Sequence, residues 1–402
     1  MGRVLGGNDG GKPAQVLYSW FTLPFRVYAT PDAFVCTHEK FSAADIIFKK
    51  NVHLLSLSKS TATFVELDET IGAYDTRQYP ILFLAQTQHT RRVIKLPMEE
   101  FYRIADQLNV SDHQVVWMFH SVRCGSTAWA QVFNSLPGWS VISDSQSLYV
   151  TISYCLDTAD MSSFSRTAEY SRMAQAIIKM NLSKMPPGAH VLWKGTVHDD
   201  HMIPVIAKHF PEHRILFAYR NALPSGISFY KAFASIPFMK NKDAHLSRKP
   251  FDTSPYSSVK TTRLFYTNGY DWDMCKRVID ETRPQGTFEW YMFMWSVKVT
   301  LALEARQKGI SIQPIKYEHL QSQPRATVTE VFEYLGIPLE QVDTAMKALE
   351  EDSQENTFFS RKRRSRFADW ERTEESVRRS NAILKAFNLP NLNSDYVMDQ
   401  TI

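Results

Sequence analysis

The sequence contains no segment typical of a membrane anchor or a secretion signal. No stretch approaches the roughly 20 consecutive apolar residues that a transmembrane helix requires. The first residues, MGRVLGGNDGGK, lack the apolar centre of a signal peptide. An N-myristoylation motif needs Ser or Thr at the sixth position, where this chain has Gly6. We therefore expect a cytoplasmic protein with no membrane span.

Cysteine is scarce, and positive and negative charges nearly balance. The four cysteines, Cys36, Cys124, Cys155 and Cys275, lie far apart without metal-ligand spacing. This pattern favours reduced thiols over disulfides and predicts no metal site. The formal net charge is only +4. Nucleic-acid binding usually requires a concentrated basic face, so we predict an anionic small molecule and no nucleic acid as the partner.

The amino-terminal part is rich in β-branched and aromatic residues. After a tail at residues 1–12 that is predicted to be disordered, we predict a strand-rich module over residues 13–111, which ends in a short helix from Pro97 to Val110. The predicted strands are VLYSWFTLPFRVYA, AFVCTH, VHLLSLS, ATFVEL, ILFLAQ and RRVIKL.

The remaining chain, residues 112–402, alternates apolar strands with helices, which predicts an α/β domain with a parallel sheet flanked by helices. Residues 289–307 carry apolar side chains at helical spacing and predict a long core helix. Residues 236–286 are polar and weakly periodic. We predict that they form a lid or an acceptor-specificity insert.

The segment VVWMFHSVRCGSTAWAQVF, from Val115 to Phe133, combines a strand, a turn and a helix. A helix that begins at a Gly-Ser-Thr turn presents unpaired N–H groups and the positive end of its dipole to an anion. Arg123 adds a positive charge beside this turn. The segment therefore predicts an anion site.

This loop differs from the phosphate loop of nucleotide hydrolases, which reads GxxxxGK[ST]. His120 stands where the first Gly would be, and Ser126 stands where the Lys would be. The Lys would contact the outer phosphates, and the following hydroxyl would bind magnesium. An ATPase or GTPase is therefore not predicted.

A second segment, RILFAYRNALPSGISFYKAF, predicts another anion site. A strand ends at Tyr219, Arg220 follows, and a helix carries Ser228. Ligands of open parallel sheets bind at the carboxyl ends of the strands. Arg123 and Arg220 are therefore expected to face one crevice.

Together these segments resemble the sulfotransferases that use 3′-phosphoadenylyl sulfate (PAPS), a family with a P-loop-type parallel sheet. The resemblance implies that Arg220 and Ser228, which have the family's spacing of eight positions, hold the 3′-phosphate. Ala222 departs from the pattern, since the family usually has Pro after the Arg-Asn pair. The loop residues would hold the 5′-phosphate, and Arg123 would also stabilise the leaving group. These residues are Arg123, Cys124, Gly125, Ser126 and Thr127.

Two downstream segments extend the resemblance, so that the motifs cover two thirds of the chain. GISIQPIKYEHL predicts a strand that ends in Tyr317 to Leu320, followed by a helix that closes on YLGIP, as in the family's framework. RKRRSRFADW resembles the basic loop over the cofactor, which adds Arg363, Arg364 and Ser365 to the predicted cofactor contacts. Ser365 and Ala368 replace glycines of that loop, which could shift its backbone contacts.

The resemblance leaves two candidates for the general base. Asp144 follows Arg123 by twenty-one positions, the spacing of a catalytic Glu in the carbohydrate branch. The cytosolic branch has a His where this chain has Thr196, and His198 follows closely. We rank Asp144 first and His198 second. Lys194, at the end of an apolar strand, is the candidate for contact with the sulfonate.

The predicted function is transfer of a sulfuryl group from PAPS to a hydroxyl or amine of a small acceptor, with adenosine 3′,5′-bisphosphate (PAP) as product. A non-catalytic PAP-binding protein is the alternative of a different class, because Thr196 and Asp144 depart from the family's bases. A P-loop nucleotide kinase is disfavoured by the missing loop Lys. The acceptor and the oligomeric state are not encoded in any motif.

Overall fold

The computed structural model describes residues 11–22, 31–145, 147, 167–234, 271–355, 357, 359–364 and 370–402. Two five-stranded sheets organise these residues. The first lies in the amino-terminal module, and the second forms the centre of the α/β domain. Both confirm the fold class predicted from the sequence.

The amino-terminal sheet is antiparallel, with the strand order β2-β1-β5-β4-β3. Its strands are β1 (Ala14–Thr22), β2 (Phe34–Ser42), β3 (Val52–Leu57), β4 (Thr61–Leu67) and β5 (Thr90–Pro97). Successive side chains of a strand point to opposite faces. Val93 accordingly packs in a small cluster with helix α1 (Leu82–Gln88), while Ile94 joins the main core with helix α2 (Met98–Gln107).

One predicted strand of this module is wrong. The run ILFLAQ, residues 81–86, lies almost entirely in helix α1. A short apolar run fits a buried strand and a buried helical turn equally well. Leu, Ala and Gln favour helices, and Ile81 is the only β-branched residue of the run. The composition of this run therefore favours a helix. The helix predicted from Pro97 to Val110 is confirmed as α2.

The second sheet is parallel, with the strand order β10-β9-β6-β8-β7. Its strands are β6 (Gln114–His120), β7 (Trp139–Ser143), β8 (His190–Lys194), β9 (Arg214–Tyr219) and β10 (Gln313–Lys316). Because all five run in one direction, their carboxyl ends meet at one edge. The predicted site residues Asp144, Lys194 and Arg220 directly follow or end three of these strands.

Helices cover both faces of this sheet. They are α3 (Ser126–Asn134), α4 (Ala168–Leu182), α5 (Ile203–His209), α6 (Ala222–Ala234), α7 (Trp272–Thr282), α8 (Gly286–Gln307), α9 (Tyr317–Ser322), α10 (Pro324–Leu335), α11 (Val342–Glu350), α12 (Arg361–Arg364) and α13 (Glu374–Ala386). Helices α3, α10 and α11 share a core on one face, and α4, α5 and α8 pack on the other. Helix α8 confirms the predicted core helix, since Trp290, Phe293 and Val297 are buried.

The strand predicted to end in Tyr317 to Leu320 is shorter than expected. Strand β10 ends at Lys316, and Tyr317 begins helix α9. In the parallel ladder Lys316 pairs with Tyr219, the last residue of β9. Beyond that pair the neighbouring strand offers no further backbone partners, so the chain turns into a helix.

Part of the predicted insert has regular structure. Residues 272–282 form α7, whose N-cap Asp271 accepts a hydrogen bond from the backbone N–H of Met274. Residues 236–270 lie outside the described part of the chain. Among the helices that the structure describes, none has the length and apolar character needed to cross a membrane.

Candidate active site

The loop between β6 and α3 has an unusual backbone. Val122 and Arg123 have positive φ angles of 66° and 54°, and Gly125 follows with 81°. Non-glycine residues seldom adopt this conformation, and it persists only where surrounding contacts enforce it. The carbonyl of Gly125 accepts from the N–H groups of Ala128 and Trp129. Gly125 is the N-cap of α3, so the amino-terminal end of this helix, with its positive dipole end, lies at the loop, as an anion site requires.

Two buried hydroxyls hold this strained loop. The Ser225 hydroxyl donates to the carbonyl of Val122 at 2.9 Å. The Tyr291 hydroxyl lies 3.1 Å from the carbonyl of Ser121 and 3.0 Å from that of Val122. Burial raises the pKa of Tyr291 far above its usual value, so this phenol stays a neutral donor. Neither residue was predicted, because a hydroxyl that binds a distant backbone carbonyl has no local pattern.

Arg123 links the two predicted anion sites. Its Nε donates to the Ser228 hydroxyl at 3.2 Å, and Nη1 donates to Oε1 of Gln354 at 3.1 Å. The guanidinium also lies 5.7 Å from the centre of the Phe359 ring. Ser228 sits on α6, so the loop after β6 and the helix after β9 meet in one crevice.

Gln354 is a site residue that the sequence did not reveal. Its amide accepts from Arg123, while its Nε2 lies 3.5 Å from the hydroxyl of Thr127. The Gln354 backbone N–H donates to Asp352, which also accepts from the backbone N–H of Arg361. This turn thus connects the anion loop with the start of the basic segment.

A tyrosine ring forms a wall shared by both anion sites. The guanidinium of Arg220 lies 4.5 Å from the centre of the Tyr317 ring. On the other side, a Cβ added to Gly125 would lie 2.5 Å from Cδ2 of the same ring. Glycine is therefore required at position 125 for space as well as for its positive φ. Glu318 completes this wall, with Oε1 3.9 Å from Nε of Arg220.

Asp144 and Lys194 form a buried ion pair at the carboxyl ends of β7 and β8. The backbone N–H of Asp144 continues the ladder by donating to the carbonyl of Lys194 at 3.0 Å. Asp144 has a positive φ of 49°, which directs its side chain away from the strand path. Burial raises the pKa of the Asp144 carboxyl, although the charge of Lys194 opposes the shift. The charge of Lys194 also reaches the thiol of Cys124 in the anion loop.

Thr196, at the position of the histidine in the cytosolic branch, makes hydrogen bonds within the turn after β8. The Thr196 hydroxyl accepts from the N–H of His198 at 3.3 Å, and its own N–H donates to Asp199 at 2.5 Å. These two contacts stabilise the turn after β8. Burial raises the pKa of Asp199 to about 7.

His198 is fully buried on the interior side of this turn. Burial, together with the charge of Lys298 and the neighbouring His201, holds the pKa of His198 well below its usual value. Lys298 forms a buried ion pair with Asp200. Burial therefore makes this imidazole a weaker base than an ordinary histidine.

The other predicted contacts fall in two groups. Cys124 is buried, and burial raises its thiol pKa, so it is a protonated packing residue of the loop. The basic segment forms the short helix α12, which lies beside α6, with Arg363 exposed. The side chain of Arg364 and all of Ser365 lie outside the described residues.

Comparisons with known proteins identify the family of the chain. A family model described as Sulfotransferase domain matches residues 115–386, and the chain belongs to that family. The crystal structure of sulfotransferase STF9 from Mycobacterium avium is similar at 14% identity and a TM-score of 0.39, covering 73% of this chain and 81% of that chain. Sulfotransferase STF1 from Mycobacterium tuberculosis H37Rv is similar at 11% identity and a TM-score of 0.38, covering 71% and 79%. A search of curated proteins gave no match.

Proposed function

We propose that this sulfotransferase moves a sulfuryl group from PAPS to a hydroxyl or amine of a small acceptor. The observation that carries the proposal is the hydrogen bond between Arg123 and Ser228, at 3.2 Å. It brings together the predicted 5′ and 3′ phosphate contacts, which lie 105 residues apart in the sequence. A nucleotide with phosphates at both ends of its ribose fits such a pair of sites.

The residues of the crevice have the chemistry that this donor requires. The N–H groups of the first turn of α3, with Ser126, Thr127 and Arg123, would hold the 5′-phosphate. Arg220 and Ser228 would hold the 3′-phosphate, and Nε of Arg220 is buried without a hydrogen bond from the described part of the chain. A buried N–H group without a hydrogen bond is costly, and an anion would accept one from it.

We assign Asp144 and Lys194 to the transfer itself. When bound, the donor supplies the sulfuryl group and a phosphate leaving group. Asp144 would accept the proton of the acceptor, and its raised pKa makes it a better base than an ordinary carboxylate. Lys194 would orient Asp144 and neutralise charge near the loop. Arg123 would stabilise the charge that develops on the leaving group.

Ligand stabilisation tests the donor assignment. PAP is expected to bind only the folded chain, so at 100 times its Kd it should raise the free energy of unfolding by about 2.7 kcal/mol. The melting temperature should rise accordingly. ATP is expected to have little effect, since the loop lacks the Lys that contacts the outer phosphates. The measurement is differential scanning fluorimetry with PAP, ATP and adenosine 5′-monophosphate. Equal stabilisation by PAP and ATP would contradict the assignment.

Arg220→Ala tests the 3′ site separately. We expect weaker PAP binding by roughly 1.5–3 kcal/mol, because a charge-assisted contact is lost. Binding of adenosine 5′-monophosphate should not change, since it has no 3′-phosphate. Titration calorimetry with both nucleotides measures the difference, and Arg214→Ala, at the opposite end of β9, is a matched control. Unchanged PAP affinity would remove Arg220 from the site.

An assay of sulfuryl transfer distinguishes an enzyme from a non-catalytic PAP-binding protein. A screen of small hydroxyl and amine acceptors with radiolabelled PAPS should find at least one labelled product. Labelled product that disappears in the Asp144→Asn variant would assign the activity to this site.

A further inference from the structure

The carboxyl-terminal segment, residues 392–402, closes an edge of the parallel sheet. The N–H of Ile402 donates to the carbonyl of Pro314 at 3.1 Å, and the N–H of Lys316 donates to the carbonyl of Ile402 at 2.9 Å. Both partners belong to β10, the edge strand of the sheet. Leu392 and Met398 are buried, which anchors the segment further. It lies beyond residues 115–386, which the family model matches.

The same segment contacts the residues on both sides of Arg220. On one side, the hydroxyl of Tyr219 accepts from the N–H of Met398 at 3.0 Å and lies 2.9 Å from the hydroxyl of Thr401. On the other side, Asn221 makes two contacts with the segment. The side chains of both sequence neighbours of Arg220 are therefore hydrogen-bonded to the carboxyl-terminal segment.

Both polar atoms of the Asn221 side-chain amide make a hydrogen bond to the carboxyl-terminal segment. Its Nδ2 donates to Oδ1 of Asp395 at 2.9 Å, and its Oδ1 accepts from the N–H of Tyr396 at 3.0 Å. The backbone N–H of Asn221 donates to Glu318, and the indole of Trp295 donates to the carbonyl of Arg220. These contacts fix the peptide between residues 220 and 221, from which the Arg220 side chain projects towards Tyr317.

A buried lysine explains why the segment stays in place. The side chain of Lys316 is only 1% exposed and pairs with Asp395, whose side chain is 77% exposed. A buried ammonium requires a counter-charge. Hydrogen bonds from Lys316 and Asn221 lower the pKa of Asp395, so the carboxylate is ionised at neutral pH. Asp395 thus joins the end of β10 to Asn221.

We infer that the carboxyl-terminal segment positions Arg220 and thereby sets the preference of the site for a nucleotide with a 3′-phosphate. The inference rests on the proposed function, because it assigns the 3′-phosphate to Arg220. Asp395 and Asn221 are positioning residues: they act through the backbone of Arg220 and do not touch the ligand. Asn221 lies within residues 115–386, which the family model matches, whereas Asp395 lies beyond them.

The test compares two nucleotides on the full-length chain. Asp395→Ala removes the acceptor for Asn221, and we expect PAP affinity to fall roughly 5- to 30-fold, as for one or two hydrogen bonds. The affinity for adenosine 5′-monophosphate should stay the same. Asp395→Asn keeps an oxygen acceptor and should recover part of the PAP affinity. Asp399→Ala, an exposed carboxylate of the same segment, is the matched control and should bind both nucleotides as the wild type does.

The outcomes separate this inference from the proposed function. A selective loss of PAP affinity in Asp395→Ala supports the inference. Equal losses for both nucleotides, or no loss, overturn it, because a general structural role would not distinguish a 3′-phosphate. If Asp395→Ala unfolds at the assay temperature, Asp395→Asn gives the same comparison. A wild type that binds both nucleotides equally would instead contradict the proposed function.

Discussion

Asp144→Asn is expected to lower kcat by about 10²–10⁴-fold, the usual range for loss of a general base. Asn keeps the size and one oxygen of the side chain but accepts no proton. PAP affinity should stay unchanged, since Asp144 is proposed as the general base and not as a ligand of either phosphate. The variant should also unfold more readily, by up to ~3–5 kcal/mol, because Lys194 keeps a buried charge without its partner. Turnover with a labelled donor and PAP titration measure both properties.

The control and the competing base make this experiment decisive. Asp343→Asn, at a carboxylate that is 74% exposed, should leave kcat unchanged. His198→Ala should reduce kcat far less than Asp144→Asn, because the buried imidazole is a weak base. If His198→Ala abolishes turnover and Asp144→Asn does not, our ranking of the two bases is reversed.

Arg123→Ala is expected to lower kcat by about 10²–10³-fold, the loss seen when one preorganised donor to developing charge is removed. The same change removes the contacts to Ser228 and Gln354, so PAP affinity should fall as well. Arg123→Lys should have a kcat and a PAP affinity between those of the wild type and of Arg123→Ala, since a lysine keeps the charge but cannot span both partners. Steady-state kinetics over a range of donor concentrations separates kcat from KM.

Arg77→Ala provides the surface control for this change. The Arg77 side chain is 67% exposed in the amino-terminal module, and its loss should not affect turnover. A result in which Arg123→Ala raises KM but keeps kcat would contradict the role in leaving-group stabilisation. It would leave Arg123 as a binding residue only.

Local pattern revealed the parts of the site that follow buried strands. The runs before Arg123, Lys194 and Arg220 are apolar because strands of a parallel sheet are buried on both faces. The end of each apolar run therefore indicates a candidate site residue in the sequence. The spacing of Arg220 and Ser228 also survives in the sequence, since both lie on one strand-to-helix connection.

The supporting contacts could not be predicted, for a different physical reason. Gln354 lies 231 residues from Arg123, and Tyr291 lies 169 residues from Val122. Such pairs are set by how helices pack, and no period or spacing in the sequence records them. Tyr317 was assigned to a strand and to the framework, yet its ring separates the two anion sites. The wrong strand assignment and the missed role of Tyr317 have the same cause. The end of β10 is set by its pairing with β9, which the sequence does not show, and α9 begins there.

The Tyr317 ring between Gly125 and Arg220 has a consequence for how the crevice selects ligands. Both proposed anion sites lie against one planar side chain, since the loop at Gly125 and the guanidinium of Arg220 both approach the Tyr317 ring. The entropy of ordering this wall is lost during folding and not when a ligand arrives. Under the proposed function, we therefore expect the ring to set the separation of the two charged groups that a ligand of this crevice must have.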